Sequence, residues 1–348
     1  MNKRIPAVFL MTVSALLFAG CGMFAGHELT DQGMEANKQL DYQTAITRFD
    51  EAIEAGEDGL AAGRGKGIAY LGLADYENAV ASFETALSEA GGRLTDLSFD
   101  TDYYLAYAYY KSGRMEDAVT LLNGIIAARP EEKNAFFLRG RLELTQGNYE
   151  LATVDFDNVL ALDPSDYDCI LSIYKSLDEY GYTDEGAGYL KEALDRDSET
   201  MSEYDRGRFA YYLEDYETAK NCLERARDSA DAQPALFLGR TYEALGDYNY
   251  ASTVYMDYIE KYGDSGEIYN QLGVCRLRMQ DYENALLAFQ VGMEAEKEPC
   301  LQTLKFNEIV AYENLGDFKR AASLMEEYRK HYPDDAKAER EWKFLKTR

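Results

Sequence analysis

Four basic residues, Arg141, Lys175, Arg208 and Arg240, with aromatic residues spaced around them, are the side chains of this sequence best suited to chemistry, and that chemistry is non-covalent. A guanidinium holds a carboxylate through paired hydrogen bonds, and aromatic rings beside it bury apolar side chains. Covalent chemistry lacks its usual signatures. There are two histidines, His27 and His331, with no partner at metal-ligand spacing, and no GxSxG, HExxH or glycine loop followed by lysine. After Cys21 the cysteines Cys169, Cys222, Cys275 and Cys300 form no CxxC pair, so neither a metal nor a cofactor is expected, and the thiols read as buried and single. With 63 aspartates and glutamates, a carboxylate pair can be found anywhere and carries no specificity for glycosidase work.

The bases occupy matching places in a repeat. An aromatic, an alanine three residues on, a bulky apolar residue four further and a small residue three beyond form a ladder. Its clearest copies are Tyr42-Ala45-Phe49-Ala52, Tyr76-Ala79-Phe83-Ala86, Tyr149-Ala152-Phe156-Val159 and Tyr282-Ala285-Phe289-Gly292. The nine copies start at Tyr42, Tyr76, Met115, Tyr149, Thr183, Tyr216, Tyr248, Tyr282 and Phe318, at intervals of 34, 39, 34, 34, 33, 32, 34 and 36 residues. Spacings of three and four put a ladder on one helical face, and a period of this size predicts one helical unit stacked many times.

A preceding helix in each unit is predicted by a glycine nine residues before the ladder start (Gly33, Gly67, Gly140, Gly207, Gly239, Gly273), expected to pack against the ladder alanine. Gly113, Gly147, Gly181, Gly246 and Gly316 fall where that helix needs a left-handed terminus. Asp41, Asp75, Asp215, Asp247, Asp281, Asp317 and Asn148 follow as N-caps, and Pro130, Pro164 and Pro333 end the second helices. Copies three (Met115) and five (Thr183, Gly186) are weakest, and five extra residues near Leu94–Asp100 stretch one joint.

These residues resemble the tetratricopeptide repeat family, most fully in Leu105-Ala106, Tyr109, Gly113, Ala118 and Pro130, and in Leu238-Gly239, Tyr242, Gly246 and Ala251. The resemblance implies an all-α, right-handed α-solenoid of about nine helix-turn-helix repeats over 27–333, closed by a capping helix over 334–348 that contains Trp342. It also implies that one stripe of the first helices lines a concave binding groove. On that stripe, eight residues before each ladder start, four successive copies carry Arg141, Lys175, Arg208 and Arg240; Tyr103, Tyr107, Tyr110, Phe137, Tyr204 and Tyr211 stand at or beside the same position. Such a groove would hold an extended peptide. Glu143, Asp178 and Glu243 stand close enough in sequence to neutralise the bases instead. The family's carboxylate clamp, an asparagine four residues after a lysine on the first helix, is not matched.

Residues 1–20 read as a signal segment: Lys3 and Arg4 precede an apolar run too short to span a membrane. The run ends Leu17-Phe18-Ala19-Gly20-Cys21, which resembles the lipobox of bacterial lipoproteins and implies lipidation at Cys21, with residues 21–26 as a short tether. The expected location is the extracytoplasmic face of a bacterial membrane. A formal charge of −27 disfavours nucleic acid, which needs a basic face. The favoured reading is therefore an anchored, non-enzymatic scaffold that binds proteins or peptides. A solute- or glycan-binding lipoprotein would need two lobes around a cleft, and a cell-wall enzyme would need a catalytic constellation.

Overall fold

The computed structural model describes residues 27–295, 300–333 and 335–348, in which nineteen helices and no strand occur. Each ladder lies on the second helix of a hairpin. Four hairpins make a compact unit ending at Asp163: α1 (Glu28–Lys38) with α2 (Tyr42–Glu54), α3 (Gly59–Gly72) with α4 (Tyr76–Glu89), α5 (Asp96–Lys111) with α6 (Met115–Ala128), and α7 (Lys133–Gln146) with α8 (Tyr149–Leu162). A second unit begins at Pro164 with α9 (Tyr167–Glu179) and α10 (Thr183–Arg196), followed by α11 (Glu203–Tyr212) and α12 (Tyr216–Ala226). It continues with α13 (Ala232–Ala244) and α14 (Tyr248–Tyr262), α15 (Gly266–Arg278) and α16 (Tyr282–Ala295), α17 (Leu301–Asn314) and α18 (Phe318–His331), and ends with α19 (Ala336–Leu345). The unit boundary falls at neither of the places where the ladder is weakest. The stretched joint is absorbed by left-handed Gly91 and Gly92 and by α5, which Thr95 and Ser98 cap reciprocally.

The second and third ladder residues are buried in every copy, from Ala45 and Phe49 to Ala321 and Met325. Burying a side chain such as Phe49 is worth ~1.5–3 kcal/mol, so the ladder drives the stacking. The first-helix glycines serve this bulky residue and not the alanine expected from sequence. A Cβ on Gly67 would stand 2.4 Å from the Phe83 ring, one on Gly239 2.2 Å from the Tyr255 ring, and one on Gly273 2.3 Å from the Phe289 ring. The alanine keeps the helices close, but the ring fills the space that the missing Cβ leaves.

The turn between the two helices is the same in all nine copies. Gly113, Gly147, Gly181, Gly246 and Gly316 have φ between +78° and +85°, and Leu40, Ala74, Glu214 and Gln280 take the equivalent place at +56° to +61°. Asp41, Asp75, Asp215, Asp247 and Asp317 then accept from the backbone N–H three residues on. Asn148 departs from this pattern: its side chain caps nothing and donates to Glu143 at 2.7 Å.

At the C-terminus α19 buries Ala338 and Leu345 beside Ile309, Ala321 and Met325, with Trp342 partly covered. Its N-cap Asp335 accepts from the Tyr328 hydroxyl at 2.7 Å. Burial, and the Glu341 carboxylate of α19 facing it, push Glu313 on α17 up to about 7.

Two outcomes follow for stability. Gly273→Ala should cost ~1–3 kcal/mol through overpacking against Phe289. Gln280→Gly should instead gain ~1 kcal/mol by relieving the left-handed strain. Urea unfolding reads both, and effects of the same sign would refute the packing argument. Glu313 takes up a proton on folding between its unfolded pKa near 4.5 and about 7, so its contribution is full below 4.5 and is lost as pH rises to 7. The Tm of Glu313→Gln relative to wild type should therefore improve from pH 5 to pH 8; a difference independent of pH would exclude this linkage.

Candidate protein-binding site

Within the first unit Tyr103, Tyr107 and Tyr110 share one helix, and neither Phe137 nor Arg141 joins them at the surface. Tyr103, Tyr107 and Tyr110 lie at spacings of four and three on α5, each half-buried. The Lys111 ammonium stands 5.3 Å from the ring centre of Tyr76 and 5.9 Å from that of Tyr107. Burial pushes the Tyr107 hydroxyl up to about 12 and Tyr103 further. Burial also pushes the Asp102 carboxyl, next to Tyr103 in sequence, up to about 6. On α7, Phe137 and Arg141 are both buried, and Phe137 packs 5.9 Å from Phe156 of the ladder.

The second unit sorts its bases into one strut and two surface cations. Arg208 on α11 is 6% exposed and pairs with Asp168 of α9 and, at 2.6 Å, with Asp205 of its own helix; its guanidinium lies 5.0 Å from the Tyr204 ring centre. Burial opposes its charge, and Asp168 and Asp205 more than restore it. Arg240 on α13 keeps about a third of its side chain exposed and meets Glu267 at 3.5 Å. Lys175 on α9 is exposed, with its ammonium 5.0 Å from the Tyr212 ring centre.

Of the acids suggested by sequence spacing, Glu243 accepts from the Tyr255 hydroxyl at 2.8 Å and also feels the charge of Arg240, while Asp178 accepts from Thr183 at 2.6 Å. The partners of Arg208 and Arg240 include first-helix acids of neighbouring copies, Asp168 and Glu267.

Between Lys175 and Arg240 lies an aromatic shelf. Tyr211 stands edge-on to Tyr212 at 5.5 Å, Tyr216 at 5.8 Å and Phe237 at 5.7 Å, and Tyr212 meets Tyr174 at 5.5 Å. Burial raises the Tyr211 hydroxyl pKa, and the charge of Arg240 moderates the rise. Spacing alone placed Tyr211 in the candidate groove and left out Tyr174, Tyr212 and Tyr216; the Tyr211-Tyr212 pair at the end of a short first helix was the available signal.

The hairpin repeat, its glycine-seated ladder and its common turn match known sequence families. Sequence models described as tetratricopeptide repeat match residues 30–93 and 103–167, and 238–265 and 306–335, together more than half of the chain. The chain is a tetratricopeptide repeat protein. It is 23% identical over 292 residues to the BBSome complex member BBS4 of Bos taurus, a match covering 83% of this chain and 55% of that relative. The repeat chain thus spans about half the length of that curated relative. Among solved structures, it is similar to a tetratricopeptide repeat protein from Parabacteroides merdae (16% identity, 82% of this chain and 97% of that one, TM-score 0.43). It is also similar to yeast Tom70 (14% identity, 87% and 84%, TM-score 0.47).

Among the described residues no cluster of three or more His, Cys, Asp or Glu side chains could hold a metal ion, and no helix is long and apolar enough to cross a membrane. Cys222 and Cys275 are buried, while Cys169 and Cys300 are only partly so; Cys275 donates to the Tyr248 carbonyl at 3.1 Å and has its pKa pushed up to about 12 by its burial.

The division of the bases is testable. Arg208→Ala should destabilise the chain by ~3 kcal/mol or more, since it removes the cation that Asp205 faces and opens a buried site, whereas Lys175→Ala should change stability by less than ~0.5 kcal/mol. Equal losses in thermal unfolding would return Lys175 to a structural role.

Proposed function

We propose that this tetratricopeptide repeat protein is a lipid-anchored scaffold of the bacterial cell envelope, which grips an extended, acidic segment of another protein against its first helices. The observation that carries the reading is the half-exposed shelf of Tyr211, Tyr212 and Tyr216 beside Lys175 and Arg240. Tyrosine supplies large contact area at low entropic cost, and exposed cations beside it favour carboxylates on the partner. Tyr103, Tyr107 and Tyr110 of the first unit offer a second aromatic face. Arg208 shapes this surface as a strut and does not meet the ligand directly.

Anchoring rests on the sequence reading of Leu17–Cys21, which lies outside the described residues. The family is generally non-enzymatic, and its curated relative is named as a member of a complex, which accords with a scaffolding role.

A photo-crosslinker at Tyr211 in the full-length protein, expressed in a bacterial host with an intact lipoprotein pathway, tests the reading. Tyr211 should capture a discrete partner, with capture reduced at least tenfold by Lys175→Glu with Arg240→Glu. A crosslinker at exposed Glu217 should capture none of it. Cys21→Ser should release the protein from the membrane fraction. Capture indifferent to the charge reversals, or equal from both positions, would overturn the proposed face.

A further inference from the structure

The second helices carry a separate feature where the seventh and eighth copies meet. Eight residues after the ladder start, the other copies have Asp50, Glu84, Asn123, Asp157, Lys191, Glu224, Gln290 and Glu326, all polar; the seventh has Met256. In copies one, two and six this position clasps the next first helix: Asp50 accepts from Lys66 at 2.5 Å, Glu84 from Tyr109 at 2.7 Å, and Glu224 from Tyr242 at 2.6 Å. At Met256 the clasp shrinks to a sulfur contact from Arg276 at 3.5 Å. Five residues after the start, the eighth copy places Leu287 where the others have Thr, Ala, Val, Gly, Asn or Ser.

The result is an apolar groove. Met256 and Ile259 of α14 form one wall, Leu287 and Val291 of α16 the other, and Tyr269 and Leu272 of α15 the floor. Met256 is 42% and Leu287 54% exposed, and they face each other across the groove. Both walls are helices running in the same sense, and both end in an acid twelve residues after the ladder start, Glu260 on α14 and Glu294 on α16, each exposed. The helix carboxyl termini add negative potential at that same end. Arg276, the cation in the lining, is held by the Asn284 carbonyl at 3.1 Å as well as by Met256.

We propose that the groove between α14 and α16 docks an amphipathic helix of a partner protein, with an apolar stripe seated on Met256 and Leu287 and a cluster of lysine or arginine at the end that meets Glu260 and Glu294. Two parallel helical ridges with an apolar floor suit a third helix, and the one-ended charge fixes its direction. This surface is independent of the first-helix shelf.

The probe is a fluorescein-labelled synthetic helix of about 18 residues, with leucines at i, i+3, i+4 and i+7 and lysines at one end, titrated with the full chain and followed by anisotropy. Binding should weaken at least tenfold on Leu287→Asp or Met256→Asp. It should weaken severalfold, with a flatter salt dependence, on Glu260→Gln with Glu294→Gln. All four positions are exposed, and circular dichroism checks that each variant is folded. Replacing the peptide lysines with glutamates should abolish binding. Equal affinity for wild type and Leu287→Asp would overturn the proposal. So would a chain that ignores the peptide and dimerises through the groove, seen as a wild-type dimer that Leu287→Asp converts to monomer in sedimentation velocity.

Discussion

The seat that a first-helix glycine provides for the ring of the ladder sets the geometry on which the other contacts depend. Phe49 shows how far its influence reaches. Its ring rests on Gly33 of its own hairpin, and Gly65 of the next hairpin closes from the other side, where a Cβ would stand 2.3 Å away. One side chain thus fixes the separation within a hairpin and between neighbouring hairpins. Because a helix without a Cβ at this point can approach to ring thickness, the adjacent first-helix residues are presented at a defined spacing. Arg208 and Arg240 each directly follow a glycine that faces the ladder, Gly207 against Leu223 and Gly239 against the Tyr255 ring. Their placement is a consequence of core packing.

Polar contacts then set register within the spacing that packing allows. The clasps of Asp50 with Lys66 and Glu84 with Tyr109 join a second helix to the next first helix, while Arg64 with Asp100 and Arg208 with Asp168 join successive first helices. A typical hydrogen bond contributes only ~0.5–1.5 kcal/mol net, so these bonds add less to stability than the buried ladder does. Their greater effect is specificity: a shift of one copy against the next would take Asp168 away from the buried Arg208. Arg208 and Arg240, which occupy matching positions, differ in burial. The covered one joins neighbouring copies, and the other keeps about a third of its side chain exposed.

The repeat, its turn, most of its caps and the terminal helix were legible in the sequence because each recurs with the period, and recurrence separates signal from chance. What was not legible depended on contacts between copies. Leu40, Ala74, Glu214 and Gln280 gave no hint of a left-handed backbone, which the packed hairpin imposes on them regardless of type. Sequence spacing placed the acids Glu143, Asp178 and Glu243 beside the bases, yet Arg208 is met by Asp168, forty residues away, through the rise between copies. Tyr212 escaped notice because a periodic reading follows one column at a time, and the shelf is built from adjacent columns and from Tyr216, a ladder residue only partly buried.

Charge illustrates why composition could exclude partners without choosing one. Many of the 63 acids are committed: Asp41, Asp75, Asp215, Asp247 and Asp317 to helix starts, and Asp155, Asp168 and Asp205 to arginines. The acids left over are distributed unevenly among surfaces. Within the second unit, the first-helix shelf keeps Lys175 and Arg240 at its edges, while the second-helix groove ends in Glu260 and Glu294. Since exposed charges act over about a Debye length, ~8 Å at physiological salt, a ligand senses the local set and not the sum. A strongly acidic chain can therefore present one surface suited to carboxylates and another suited to ammonium groups. At each proposed surface the apolar side chains between the charges, the tyrosines in one case and Met256 with Leu287 in the other, would supply the contact area.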